Sequence, residues 1–106
     1  MERVILESPY AGDIRRNEEY ARMCLRDSLL RGEAPIASHL LYTQPGVLDD
    51  KNPEERMLGI NAGLLWGIVA SKTVVYEDYG ISKGMEYGIA RAKAEKRHIV
   101  YRKILE

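Results

Sequence analysis

A chain of 106 residues is the size of one domain around one core, spanning residues 1–106. Its 16 basic and 16 acidic side chains cancel, so no global field draws it to a membrane surface, and a dedicated nucleic-acid surface is not expected. The lone Cys24 excludes an internal disulfide, and the apolar stretch from Met57 to Ala70, broken by Asn61, falls short of the about 20 residues that span a bilayer. With no signal-peptide pattern behind Met1, a reducing, cytoplasmic setting is the expectation.

Val4-Ile5-Leu6 is a short apolar run closed by Ser8-Pro9-Tyr10-Ala11-Gly12-Asp13, which predicts a buried strand ending in a loop. From Ile14 to Arg31 apolar residues recur at three- and four-residue steps, so a helix follows, capped by Asp13 and ended by Gly32. Pro35-Ile36-Ala37-Ser38-His39-Leu40-Leu41 reads as a second strand, followed by a polar loop from Tyr42 to Lys51. Asn52-Pro53-Glu54-Glu55 is the strongest local signal. Asn caps, Pro suits the first helical position, and Glu55 can bond back to the cap, so a helix runs from Pro53 to about Ala70. Thr73-Val74-Val75-Tyr76 is a third strand, Ser82 caps a third helix to about Lys96, and His98-Ile99-Val100-Tyr101 is a fourth strand.

The order β-α-β-α-β-α-β implies an α/β fold: a three-layer, Rossmann-like sandwich around a short, mainly parallel four-stranded sheet. Ligands of such sheets bind beyond the carboxyl ends of the strands, near the point where strand order reverses. Three loops then line the site, Ser8 to Asp13, Ser38 to Thr43 and Glu77 to Ser82. In the third, Gly80-Ile81-Ser82-Lys83-Gly84-Met85-Glu86 sets two glycines about a helix start, where free amides and the helix dipole favour an anion. An ordinary capped turn explains the same residues. Glu86 in that first turn is a candidate nucleophile, or a carboxylate that merely suits the dipole. Asp78 is a candidate for a ribose hydroxyl or a proton transfer. His39 reads as a hydrogen-bonding residue at the end of strand two and His98 as structural; their spacing with Cys24 suggests no metal, and nothing implies a cofactor.

Gly59, Gly63 and Gly67 recur every four residues in the second long helix, at about 1 kcal/mol each relative to alanine. Such a strip allows a close approach to the sheet or to another helix. With Met57, Ile60, Leu64, Leu65 and Ile68 on the other side, the helix is apolar nearly all round, which suggests either a homo-oligomer interface or one face on the sheet and one on the first helix.

Taken together, the opening Ser8-Pro9-Tyr10-Ala11-Gly12-Asp13, Asn17, the run Ala34 to Thr43, Glu55-Arg56, Gly59-Ile60-Asn61-Ala62-Gly63 and the run Gly80 to Glu86 resemble the nucleoside 2-deoxyribosyltransferase-like superfamily, particularly its short phage and bacterial members. The resemblance covers nearly the whole chain. It implies cleavage or transfer of an N-glycosidic bond with Glu86 at the position of the nucleophilic glutamate. It also implies an aspartate a few residues earlier, where this chain has Gly80; Asp78 is near but is no obvious replacement. Weak acid–base equipment with an intact ligand cradle points to a protein that holds a nucleoside- or nucleotide-like molecule. The expected ligand contacts are Ser8, Pro9, Tyr10, Gly12, Asp13, Ser38, His39, Tyr42, Gly80, Ser82, Lys83, Gly84 and Met85. In a phage context the implied role is anti-defence, by sequestration of an ADP-ribose-type or cyclic-nucleotide immune signal. The alternatives are an N-glycosidase or deoxyribosyltransferase acting through Glu86, and an oligomeric accessory protein with a vestigial pocket.

Overall fold

Alternation along the first strand sets up the whole molecule. Val4 and Leu6 are buried on one side with Tyr20 and Cys24 of the first helix, so Ile5 and Glu7 face the other side. The computed structural model describes all 106 residues, Met1–Glu106. Its elements are β1 (Glu2–Glu7), α1 (Ile14–Leu30), β2 (Glu33–Ile36), a single turn α2 (Ser38–Leu41), α3 (Pro53–Leu65) continued by a 3-10 turn over Trp66–Val69, β3 (Lys72–Tyr76), α4 (Lys83–Ala94) and β4 (His98–Arg102). All neighbouring strands are parallel, in the order β2-β1-β3-β4.

Right-handed crossovers then put α1 on one face and α3 and α4 on the other. The cores agree with this. Val4, Leu6, Val74 and Tyr76 pack with Tyr20 and Cys24, whereas Val75 packs with Met85 and Ile89 of α4. Burying each aliphatic side chain contributes about 1.5–3 kcal/mol, so these two clusters supply the main cohesion of the layers. No helix is long and apolar enough to cross a membrane.

Helix boundaries follow local chemistry. Asp13 caps α1 by accepting from the Arg16 amide, and Gly32, with φ of +86°, follows its end. Asn52 caps α3 by accepting from the amides of Glu54 and Glu55. Glu55 does not return to the cap as expected; its carboxylate accepts from the Asp49 amide instead, pinning the preceding loop. Ser82 caps α4 at the Met85 amide, and the Met85 thioether accepts from the Ser82 amide at 3.4 Å.

One predicted strand is corrected. The run Pro35 to Leu41 divides at Ala37: Pro35 and Ile36 belong to the edge strand β2, while Ser38, His39, Leu40 and Leu41 form α2. A short apolar run carries no period long enough to separate strand from helix. Proline is tolerated here because β2 is an edge strand.

On the α1 face a polar network ties both edges together. Both carboxylate oxygens of Glu33 accept from Arg102, at 2.8 and 2.7 Å, and Ser28 and Lys72 add contacts at 2.8 Å each. Arg102 above all, helped by Lys72 and Ser28 against burial, holds the Glu33 pKa down to about 2. This carboxylate is structural: every one of its partners belongs to the scaffold.

Candidate functional site

The strand order changes direction at β1 and β3, since β1 leads into α1 on one face and β3 leads into α4 on the other. Loops that part in this way leave a crevice beyond the strand ends. The crevice is there. It is a cavity of about 150 Å³ between the end of β1, α2, α3 and the first turn of α4. That volume matches an engineered cavity able to admit benzene, so it suits one six-membered ring with the rest of a ligand outside.

Each wall has a local cause. Tyr10 and Ala11 enter from the β1–α1 loop, whose carbonyls at both residues accept from the buried Asn17 side chain at 2.9 and 3.1 Å. Because α2 is a helical turn, His39 swings over the end of β1, where its Nε2 lies 2.6 Å from Ser8 Oγ. Burial alone lowers the His39 pKa to about 4, so the ring is neutral at physiological pH. No carboxylate orients its other nitrogen, so Ser8 and His39 lack the third member of a nucleophilic triad. Tyr42 lines the same wall and its hydroxyl accepts from Trp66 Nε1 at 2.8 Å.

The mouth is polar. Ser82, Lys83, Gly84 and Met85 present the first turn of α4, whose leading amides have no acceptor within the helix. Arg56 of α3 reaches this turn: a side chain begun at Gly84 would meet its Nη2 at 3.5 Å. The same guanidinium is held by Asp50 at 2.9 Å. A helix start with a lysine and an arginine beside it favours an anionic group.

The floor holds Glu7, a residue that sequence reading passed over. Glu7 ends β1 on the cleft side, and its carboxyl makes no hydrogen bond or ion pair with the protein. Gly88 of α4 accommodates it, because a Cβ there would fall on the Glu7 carboxyl. Burial raises the Glu7 pKa to about 8, and the attraction of Arg97 only partly opposes this. Arg97 is committed elsewhere, donating to Thr73 Oγ1, the Gly67 carbonyl and Glu95.

Among the expected contacts, Ser8, Tyr10, Ser38, His39, Tyr42, Ser82, Lys83, Gly84 and Met85 do line the cleft. Pro9, Gly12, Asp13 and Gly80 do not: Pro9 is buried, Asp13 caps α1, and Gly12 and Gly80 serve as turn residues with φ of +99° and +83°. The candidate nucleophile Glu86 is exposed on α4, outside the cavity lining. Asp78 also lies outside it. Its carboxylate accepts from Tyr20 and from the amides of Ile104 and Leu105, and these bonds, against burial, hold its pKa below the ordinary value. Asp78 therefore ties the C-terminal segment to α1.

The glycine strip also has a local explanation. Gly63 leaves room for the Ser38 hydroxyl and Gly67 for the Arg97 guanidinium, which a Cβ would meet at 2.6 Å. Gly59 faces Leu48 of the loop before α3 at 3.2 Å. All three glycines make room for side chains of the same chain, and at Gly63 that side chain belongs to the helical turn α2.

A family model described as "Domain of unknown function (DUF7768)" matches residues 2–102. The chain belongs to the DUF7768 family. No curated protein and no solved structure matches it. For this DUF7768 chain, the cleft residues that sequence reading missed include Glu7, Arg56, Tyr87, Gly88 and Arg97. Arg56 carried a signal in standing beside Glu55 on a well-capped helix, whereas Glu7 looked like the polar end of a strand.

Proposed function

We propose that this protein binds a nucleoside or nucleotide in the crevice between β1 and β3, with the base in the cavity and the sugar or phosphate at the mouth. The observation that carries this reading is the pairing of a ring-sized cavity with a cationic helix start. The aromatic side chains Tyr10, His39, Tyr42 and Tyr87 around the cavity suit a planar ring, and Lys83 and Arg56 at the α4 start suit an anion. Retention rather than turnover is the favoured mode. Glu86 stands outside the cleft, and the carboxyl inside it, Glu7, is held largely protonated near neutral pH, a poor state for a nucleophile. The biological role we attach to this mode is sequestration of a nucleotide-derived signal, of ADP-ribose or cyclic-nucleotide type, in phage anti-defence.

The test is to incubate the purified protein with a nucleotide library, remove the unbound fraction, denature, and analyse what is released. Intact ligand supports retention. Free base, lost on Glu86→Gln, would restore the glycosidase alternative. Assembly is part of the same proposal: α3 and its 3-10 extension leave Leu58, Leu65 and Ile68 more than half exposed, and a second copy of the chain is the expected cover. Light scattering that shows a monomer at high micromolar concentration removes that part.

A further inference from the structure

The geometry points to Glu7 as the group that selects the ligand, by accepting a hydrogen bond from the amino group of a nitrogen heterocycle at the cleft floor. This rests on the nucleoside reading of the cleft and sharpens it from a base in general to an amino-bearing base.

The first ground is the missing partner. Glu33, Asp78, Asp27 and Asp50 each have their carboxylates paired with groups of the scaffold. Glu7 has none, although it sits at the end of a central strand. The Glu7 carboxyl is half-buried at the cleft floor, so its unmet hydrogen bonds are available to whatever enters the cavity. The second ground is space. The absent side chain at Gly88 lets the carboxyl lie against α4, so the helix backbone limits its movement. The third is the surroundings. Arg97 spends its Nε and Nη1 on Thr73, Gly67 and Glu95, and His39 is turned to Ser8, so neither basic group makes a hydrogen bond or ion pair with Glu7.

The ligand chemistry follows from the acceptor. Whether ionised or protonated, a carboxyl accepts from an amino N–H. Protonated, as burial favours at neutral pH, it also donates to an adjacent ring nitrogen. An amino group beside a ring nitrogen is the edge of adenine and of cytosine. Their oxo counterparts present a carbonyl beside an N–H instead. Such an edge can also pair with the protonated carboxyl, but its carbonyl is a far weaker base than the ring nitrogen of adenine or cytosine and so shares the carboxyl proton less strongly.

The experiment is calorimetry at pH 7 with two matched pairs, adenosine against inosine and cytidine against uridine, on wild type, Glu7→Met and Glu7→Gln. In the wild type at least one amino member should bind about tenfold or more tighter than its oxo partner, which is about 1.4 kcal/mol. Glu7→Met keeps the length and removes the acceptor, so the preference should vanish. Glu7→Gln keeps an acceptor and a donor and should restore part of it. Equal wild-type affinities within both pairs, or a preference that persists in Glu7→Met, overturn the inference while leaving the nucleoside reading standing. If none of the four binds, the nucleoside reading falls, and Glu7 is judged with 2-aminopyrimidine. That ring should shift the Glu7 carboxyl resonance in ¹³C-glutamate-labelled wild-type protein, assigned by its loss in Glu7→Met. No shift, or a shift with benzamidine alone, overturns the inference, the latter marking a site for cations.

Discussion

The carboxyl of Glu7 lies where a side chain on Gly88 would have to begin. One residue ends a strand and the other sits in the second turn of α4, 81 positions later in the chain, yet neither environment is possible without the other. A glycine inside a helix costs about 1 kcal/mol relative to alanine, so this arrangement is maintained against local preference.

Gly88→Ala tests that relationship directly. Helix propensity alone favours the substitution, but the new methyl group meets the Glu7 carboxyl, which must leave its place against α4 and turn into the cleft. Overpacking of this kind costs about 1–3 kcal/mol, so the net effect should be a lower melting temperature. In a Glu7→Ala background the obstacle is gone, and the same substitution should become neutral or stabilising. A double-mutant cycle by chemical denaturation measures the coupling. Additive effects would mean the two residues do not share this space.

Stability should fall as pH rises across neutrality because of Glu7. Its pKa is raised from 4.5 to about 8, so between those values the folded protein keeps a proton that the unfolded chain releases. The folded state therefore loses stability progressively from pH 4.5 and bears the whole cost above pH 8. Water in the cleft still reaches the carboxyl, so the loss should be about 1–3 kcal/mol, less than full conversion of the shift implies. Glu7→Gln should flatten this slope and melt higher than wild type at pH 8. An unchanged slope would show that Glu7 is already solvated or paired.

His39 acts on the acid side. Burial lowers its pKa from 6.5 to about 4, so the unfolded chain binds a proton in that interval and the folded protein does not. Stability contributed by the neutral ring is complete above pH 6.5 and disappears as pH falls toward 4, by about 1–3 kcal/mol. The Glu33 window lies lower, between 4.5 and about 2, so the two can be resolved. His39→Gln should remove the slope between pH 6.5 and 4.5, and NMR titration of the imidazole should find no protonation above pH 5.

The glycines of α3 should respond unequally to alanine. At Gly63 the methyl group meets the Ser38 hydroxyl and comes within 2.8 Å of its Cβ, next to the backbone of α2. At Gly59 it meets only the end of the Leu48 side chain, at 3.2 Å, which can turn away. Gly63→Ala should destabilise by about 1–3 kcal/mol and weaken ligand binding by displacing Ser38. Gly59→Ala should be close to neutral, because the gain in helix propensity offsets a small adjustment. Thermal melts of the two variants decide this, and equal effects would return the strip to a helix-packing role.

What the sequence determined by itself was everything governed by near neighbours and by period. The alternation of strands and helices, the caps at Asp13, Asn52 and Ser82, and the parallel sheet were all legible, because capping groups and apolar periods act within a few residues. The wall of the cleft around Ser8, Ser38 and His39 and its mouth at Ser82 to Met85 were legible too, since in parallel sheets the loops at the strand ends line the site. Only the tertiary structure decided which carboxylates face the cleft. Asp78 turns toward α1 to receive the C-terminal amides, and Glu86 falls on the outer side of α4. Glu7 turns inward because strand alternation puts it on the α4 face, and it fits there only because Gly88 lacks a side chain. The orientation of a side chain depends on which residue stands opposite it, and that partner is distant in sequence, so neither propensity nor spacing could reveal it.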